Sequence, residues 1–209
     1  MNEDIYKTVE DDYDGINRAF HASYDTTTEF KDEITLFVER LSNNSKILSV
    51  GGVPVECNYF LDKGFQVDNV DISQAMLDEI SDKSPGTNII KQNIKTFPSG
   101  KSYDGVWACR SLIHIPPPDI EITLKNLRSI LNPIGVVGAV FFKSSNKKIE
   151  EQVLPEVNSA IKGLKYYRVL YSRDKLNELF KRAGFKYIRV KESADQDGDP
   201  TIFILAEAV

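Results

Sequence analysis

The 209-residue chain predicts a single α/β domain: a mostly parallel sheet with helices on both faces and an antiparallel hairpin at its C-terminal end. Three observations predict it. Short apolar runs alternate with amphipathic segments of helical period, the pattern of consecutive βαβ units. The last two runs, Phe185 to Val190 and Thr201 to Ala206, are joined through Asp197-Gly198-Asp199-Pro200 with no helix between them, so they pair antiparallel. Finally, Lys46-Ile47-Leu48-Ser49-Val50 runs into Gly51-Gly52, and a second run closes at Asp71, about 20 residues on, where a nucleotide ribose needs an acceptor.

Residues 1–45 read as a helical cap. Tyr13, Ile16, Phe20 and Tyr24 recur at three- to four-residue spacing and predict a short amphipathic helix. Phe30, Ile34, Phe37, Val38 and Leu41 predict a second helix, capped by Thr27 or Thr28. Residues 46–142 read as the cofactor-binding half. Ile47 to Val50 is its first strand, followed by a helix from Glu56 to Lys63 that Gly64 closes. Val67 to Val70 is the second strand; Ser73 caps a helix carrying Ala75, Met76, Leu77 and Ile80, and Ser84-Pro85-Gly86 ends it. Asn88 to Lys91 and Tyr103 to Ala108 supply two more strands. Asp119 caps a helix whose buried side is Ile122, Leu124, Leu127, Ile130 and Leu131, and Val136 to Phe142 is the most apolar strand. Residues 143–209 form the C-terminal half: polar Lys143 to Lys165 predicts a helix or a mobile insertion, Ser172 caps a helix ending at Gly184, and the hairpin completes the fold.

Composition narrows the function classes. Hydrophobic content of 41% with 27% charged residues is that of an ordinary globular protein rather than a disordered one. A net charge of -5 argues against nucleic acid, which needs a concentrated basic surface. Cys57 and Cys109 form neither a disulfide framework nor a metal-ligand set, so no metal is expected and a reducing cytoplasm is the expected location. No apolar run reaches the roughly 18 residues of a membrane span, and the acidic start is unlike a signal peptide.

Several words then stand in a telling order: Tyr13-Asp14-Gly15-Ile16; Ile47 to Val55; Val70-Asp71-Ile72-Ser73-Gln74-Ala75-Met76-Leu77; Tyr103-Asp104-Gly105-Val106-Trp107-Ala108 through His114-Ile115-Pro116; Leu131 to Val136; and Leu179 to Phe185. In this order they resemble the class I S-adenosylmethionine-dependent methyltransferases, especially the small ones acting on small molecules. The resemblance implies a Rossmann-like seven-stranded sheet, S-adenosylmethionine as cofactor and methyl transfer to a small-molecule acceptor. It places Gly51, Gly52 and Val53 in the glycine-rich loop, Asp71 on the ribose hydroxyls, Ile72 and Met76 beside it, and Asn93 and Ile94 at the adenine. Arg110 and His114 follow the fourth strand, where the acceptor would approach. His114 suits general-base work and Arg110 suits an anionic acceptor. Further acceptor contacts are expected from Tyr13, Tyr24, Tyr167 and Tyr171.

Each residue also has a plainer reading: Asp71 at a helix N-terminus, His114 as a satisfied structural histidine, Arg110 in an ion pair, the tyrosines at the sheet's edge. The glycine-rich loop departs from the family. Ser49 replaces an acidic residue, and Val53 and Val55 replace glycines; a β-branched residue cannot readily take a positive φ, and its methyls fill space. These departures support an alternative, a catalytically silent methyltransferase-fold binding or partner subunit with a protein partner. A third reading is an enzyme using this fold for another ligand.

Overall fold

A computed structural model describes residues 2–23, 26–98, 100, 102–146, 148–155 and 165–209. Tyr24 and the side chains of Ile16 and Phe20 lie outside the described residues. Strand β1 (Lys46–Val50) runs parallel to β2 (Gln66–Asp71) on one side and to β4 (Tyr103–Cys109) on the other. Beyond them, β3 (Asn88–Lys91) pairs with β2 and β5 (Leu131–Lys143) with β4, again parallel. Chain order therefore reverses at β1, which leaves a crevice at the carboxyl ends of the strands around it. The expected hairpin forms β8 (Phe185–Ala194) and β9 (Pro200–Ala208), with β9 antiparallel to β5.

Seven strands were expected; the described residues hold nine. The additional pair is an antiparallel ribbon: β6 (Glu150–Pro155) lies within the segment expected as a helix or mobile insertion, and β7 (Lys165–Tyr171) begins at its last residue. Phe142 pairs with Thr201 of β9 along one edge and with Leu170 of β7 along the other. The ribbon thus takes the edge of β5 that β4 vacates after Cys109, directly above the crevice.

Helices cover both faces. On one, α3 (Lys31–Val38) and α4 (Pro54–Asp62) bring Ile34, Phe37, Cys57 and Phe60 onto Ile47, Val67, Trp107 and Val140. On the other, α6 (Pro117–Ile130) and α7 (Arg173–Arg182) bring Ile120, Leu124, Leu176 and Phe180 onto Leu48, Val106, Val137 and Phe141. Burial on both faces explains why the central strands read as continuous apolar runs. Each such aliphatic or aromatic side chain contributes about 1.5–3 kcal/mol.

The helix boundaries correct several expectations. The first helix, α1 (Asn2–Ser23), is long rather than short, and Thr26–Glu29 forms its own turn, α2, so that Phe30 rather than Thr27 or Thr28 stands at the N-cap of α3. Pro116 occupies the N-cap of α6; Asp119 lies in the first turn, where it accepts from Tyr6 and pairs with Lys95. Ile122 is 46% exposed, because its position falls outside the stripe set by Ile120, Leu124 and Leu127. Ser73, by contrast, caps α5 (Gln74–Lys83) as expected: its Oγ accepts from the Met76 N–H.

Candidate functional site

A cavity opens at the carboxyl ends of β1, β2 and β4, with Tyr6, Val9 and Tyr13 of α1 on its far wall. These three lie at i, i+3 and i+7, one face of the helix. Asp14, next along, accepts from Ser73 Oγ at 2.5 Å and from the Ala75 N–H at 3.2 Å, so a carboxylate fastens α1 to the positive end of α5.

At the β1 end, Gly51 turns the chain with φ +59° and donates its N–H to the Val70 carbonyl at 2.9 Å. A Cβ there would stand 2.7 Å from Ser111 Cβ and 3.8 Å from Asp71 Oδ2, so only glycine keeps this approach open. Asp71 accepts the Ser73 N–H through Oδ1, and burial raises its pKa to about 6 despite that bond. Ile72, Met76, Asn93 and Ile94 line the same end, with Gln92. Asn93 Oδ1 already accepts the Lys95 N–H, capping the short 3₁₀ turn Ile94–Thr96.

Gly52 is corrected. It does not line the cavity; its missing side chain leaves room for Ser49 Oγ and Asn69, which a Cβ would meet at 2.0 and 2.7 Å. Val53 lines the cavity as the N-cap of α4, in extended conformation with φ -115°, so no positive φ is asked of it. Val55 sits half-buried on α4 and is not among the residues lining the cavity. The anticipated conflict between β-branched residues and the loop therefore does not arise in the backbone.

Sequence reasoning missed Glu56. Its carboxylate reaches back to the Val53 N–H at 3.4 Å from the third position of α4, the place a capping-box acid occupies, and that spacing was the available signal. Burial raises its pKa. Thr26 and Trp107 face the buried Glu56 carboxylate, whereas Ser111 Oγ is buried without a hydrogen-bond partner, and Thr26, Glu56 and Ser111 line the cavity. An orphaned hydroxyl on a cavity wall is what a polar ligand would satisfy.

At the acceptor end, His114 follows β4 in the 3₁₀ turn Leu112–His114. Its Nδ1 lies 2.6 Å from the Tyr167 carbonyl and its Nε2 lies 2.8 Å from the Tyr13 hydroxyl. Burial lowers its pKa to about 4, so the ring is neutral at pH 7. Tyr166 stands edge-on to His114, with ring centroids 5.3 Å apart.

Arg110 also follows β4, with φ +53°, but its guanidinium is already matched. It donates to Glu29 at 2.9 and 3.2 Å and to Asp195 at 3.3 Å, with the Phe30 ring 5.0 Å away. The expected grip on an anionic acceptor is corrected to a buried three-charge lock that ties α2 and the β8–β9 turn to the cavity wall. Tyr167 and Tyr171 are corrected too: β7 alternates, so Tyr166 faces the cavity while Tyr167 and Tyr171 are buried on the opposite side. Tyr167 contributes its carbonyl to His114 and its hydroxyl to Glu151. Among the described residues no cluster of His, Cys, Asp and Glu is placed to hold a metal ion, and no helix is long and apolar enough to cross a membrane.

Comparison with solved structures finds this architecture repeatedly. The Burkholderia thailandensis 1,6-didemethyltoxoflavin-N1-methyltransferase, solved with 1,6-didemethyltoxoflavin and S-adenosylhomocysteine, is 16% identical, with TM-score 0.78 over 100% of this chain and 91% of that one. The N-methyltransferase NodS of Bradyrhizobium japonicum, solved with S-adenosylhomocysteine, is 9% identical, with TM-score 0.72 over 98% of each chain. The [4+2]-cyclase SpnF is 14% identical, with TM-score 0.71 over 96% of this chain and 94% of that one. At such identities the likeness shows the fold alone, and the cyclase shows that the fold does not fix the reaction. No curated protein matches the sequence. The sequence model of the methyltransferase domain matches residues 22–190, a span that holds β1 to β7, α4 to α7 and the Gly51, Asp71 and His114 walls of the cavity, and the chain belongs to that family.

Proposed function

We propose that the protein transfers a methyl group from S-adenosylmethionine to a small-molecule acceptor. The observation that carries this reading is the continuity of the cavity from the Gly51–Asp71 end to the Tyr13–His114 end. One polar end suits a nucleoside, one aromatic end suits a second molecule, and both belong to one cavity.

The residues present fit the cofactor. Asp71 would accept from the ribose hydroxyls, Ile72, Met76 and Ile94 would flank the base, and the bare Gly51 would admit the chain beside it. The unpartnered Ser111 hydroxyl, with Glu56 and Thr26 beside it on the cavity wall, would meet its polar end. Bound there, S-adenosylmethionine supplies a methyl group on a positively charged sulfur that leaves as a neutral thioether. The protein's own part is proximity: it holds the acceptor on the Tyr13–His114 wall and excludes water with α1 and the β6–β7 ribbon. A neutral, buried His114 with its pKa lowered to about 4 is a weak base, so its part is to orient Tyr13 rather than to draw a proton directly. The small-molecule neighbour that binds 1,6-didemethyltoxoflavin supports an acceptor of that size.

The test is a calorimetric titration of nucleoside-free protein with S-adenosylmethionine and S-adenosylhomocysteine, with Asp71→Ala as control. Micromolar binding that the substitution weakens at least tenfold is expected. Absence of binding up to millimolar concentration would favour instead the catalytically silent subunit.

A further inference from the structure

Resting on the methyltransferase reading above, we propose that Arg110 is a positioning residue: its buried ion pairs with Glu29 and Asp195 hold residue 110 in a left-handed backbone conformation that sets Ser111 against Gly51 and so shapes the nucleoside end of the cavity. Two adjacent parallel strands end in the same way. β1 turns at Gly51 with φ +59°, and β4 turns at Arg110 with φ +53°. Ser49 pairs with Trp107, which brings Gly51 level with Cys109, the residue before Arg110. Glycine takes this backbone freely, whereas a residue with a β-carbon keeps it only where its surroundings hold it there. Asn44 and Ile134, the other described non-glycine residues with positive φ, are exposed, and Arg110 is the one on the cavity wall.

The holding groups lie at both ends of the residue. The Arg110 N–H donates to the Val140 carbonyl at 3.0 Å, which anchors the backbone to β5. The guanidinium is fixed by Glu29 from α2 and by Asp195 from the β8–β9 turn, over the Phe30 ring. With main chain and guanidinium both pinned, the turn between them is set. Its consequence appears one residue on. Ser111 Cβ lies 2.7 Å, and its Oγ 3.6 Å, from where a β-carbon on Gly51 would stand, with Asp71 Oδ2 3.8 Å from the same point. Ser111 also starts the turn that carries His114, whose N–H donates to the Ser111 carbonyl at 3.2 Å. A residue 110 that leaves the left-handed region redirects the chain at Ser111 and opens the gap beside Gly51. Nucleoside affinity is then reduced by the fraction of molecules in which residue 110 is not left-handed.

The experiment compares Arg110→Ala with Arg110→Gly, each combined with Glu29→Gln so that one buried carboxylate rather than two is left unmatched. S-adenosylhomocysteine affinity is measured by calorimetry and stability by urea unfolding. Both variants lose the ion pairs and should unfold at lower urea than the wild type, so the midpoint alone does not separate them. Affinity does. The alanine variant is expected to bind about five- to thirtyfold more weakly than the wild type, the left-handed penalty of a β-carbon expressed as a population ratio. The glycine variant, for which both signs of φ are open, should recover to within about threefold of the wild type. Glycine weakened as much as alanine would assign the effect to the lost charge and overturn the proposal, as would wild-type affinity in the alanine variant. Should neither fold, Glu29→Ala decides: it removes the two Glu29 contacts but leaves Arg110 on Asp195, and should weaken binding by about threefold, whereas unchanged affinity overturns the proposal. Failure of S-adenosylhomocysteine to bind the wild type sinks the methyltransferase reading instead, and is seen before any variant is titrated.

Discussion

A β-carbon on Gly51 would lie 3.8 Å from Oδ2 of Asp71, so the turn after β1 and the carboxylate ending β2 share one wall of the cavity. The same carbon would press on Ser111 Cβ at 2.7 Å and force a left-handed φ of +59° on a residue with a side chain. Gly51→Ala is therefore expected to cost about 1–2 kcal/mol for the backbone, with more for the clash. Nucleoside affinity should fall at least tenfold. Urea unfolding and calorimetry check both; a variant with wild-type stability and affinity would show that the turn has another conformation.

Asp71 ties ligand binding to pH. Its pKa is raised to about 6 by burial, above the value of an unfolded aspartate, so the folded state holds the proton more tightly. The sign follows: the carboxylate destabilises the ligand-free fold above about pH 6, and the penalty fades as pH falls through about 6 towards about 4. Asp71→Asn keeps an oxygen for the Ser73 N–H and removes the charge. In thermal melts of ligand-free protein it should gain about 2–5 °C near pH 8, with the gap closing near pH 4.5. In the wild type, nucleoside affinity should weaken below about pH 6, where the acceptor becomes protonated. A pH-independent difference between the two proteins would assign Asp71 a purely structural part.

Asp71 and Gly51 were legible because local rules place them: a strand end, a turn and a helix cap all lie within a few residues of each. The strand framework was legible for the same reason, since strands buried on both faces announce themselves as apolar runs. Arg110 was not, because its partners Glu29 and Asp195 lie 81 and 85 residues away, and nothing near Arg110 in the chain shows that its charge is spent. The ribbon β6–β7 was hidden by polar residues on its exposed face. Reading Tyr166 to Tyr171 as a cluster rather than as a strand put the wrong face, Tyr167 and Tyr171, in the cavity. Glu56 was not legible because the loop's departures, Ser49, Val53 and Val55, dominate its local sequence, and the acid that steadies it sits in the first turn of α4.

The Arg110 lock separates a structural from a substrate-binding role. Arg110, Glu29 and Asp195 have side chains 9%, 6% and 2% exposed, so water does little to screen the triad. Arg110→Met would leave two carboxylates facing each other in the protein's interior. Removing one partner of a buried ion pair costs about 3–5 kcal/mol. Adding Glu29→Gln to Arg110→Met should recover part of that loss, because the repulsion between the two carboxylates is gone and one buried charge remains instead of two, the two sites sharing one network. Burial raises the pKa of Glu29 even with the guanidinium beside it; without it, the folded-state Glu29 carboxylate would bind a proton more readily still than in the unfolded chain. The stability of Arg110→Met should therefore rise as pH is lowered from about 8 towards about 5, opposite to the usual effect of losing an ion pair by acidification. Chemical denaturation across that range checks the sign. If Arg110 instead gripped an anionic acceptor, the substitution would leave the unfolding midpoint in place and raise KM alone.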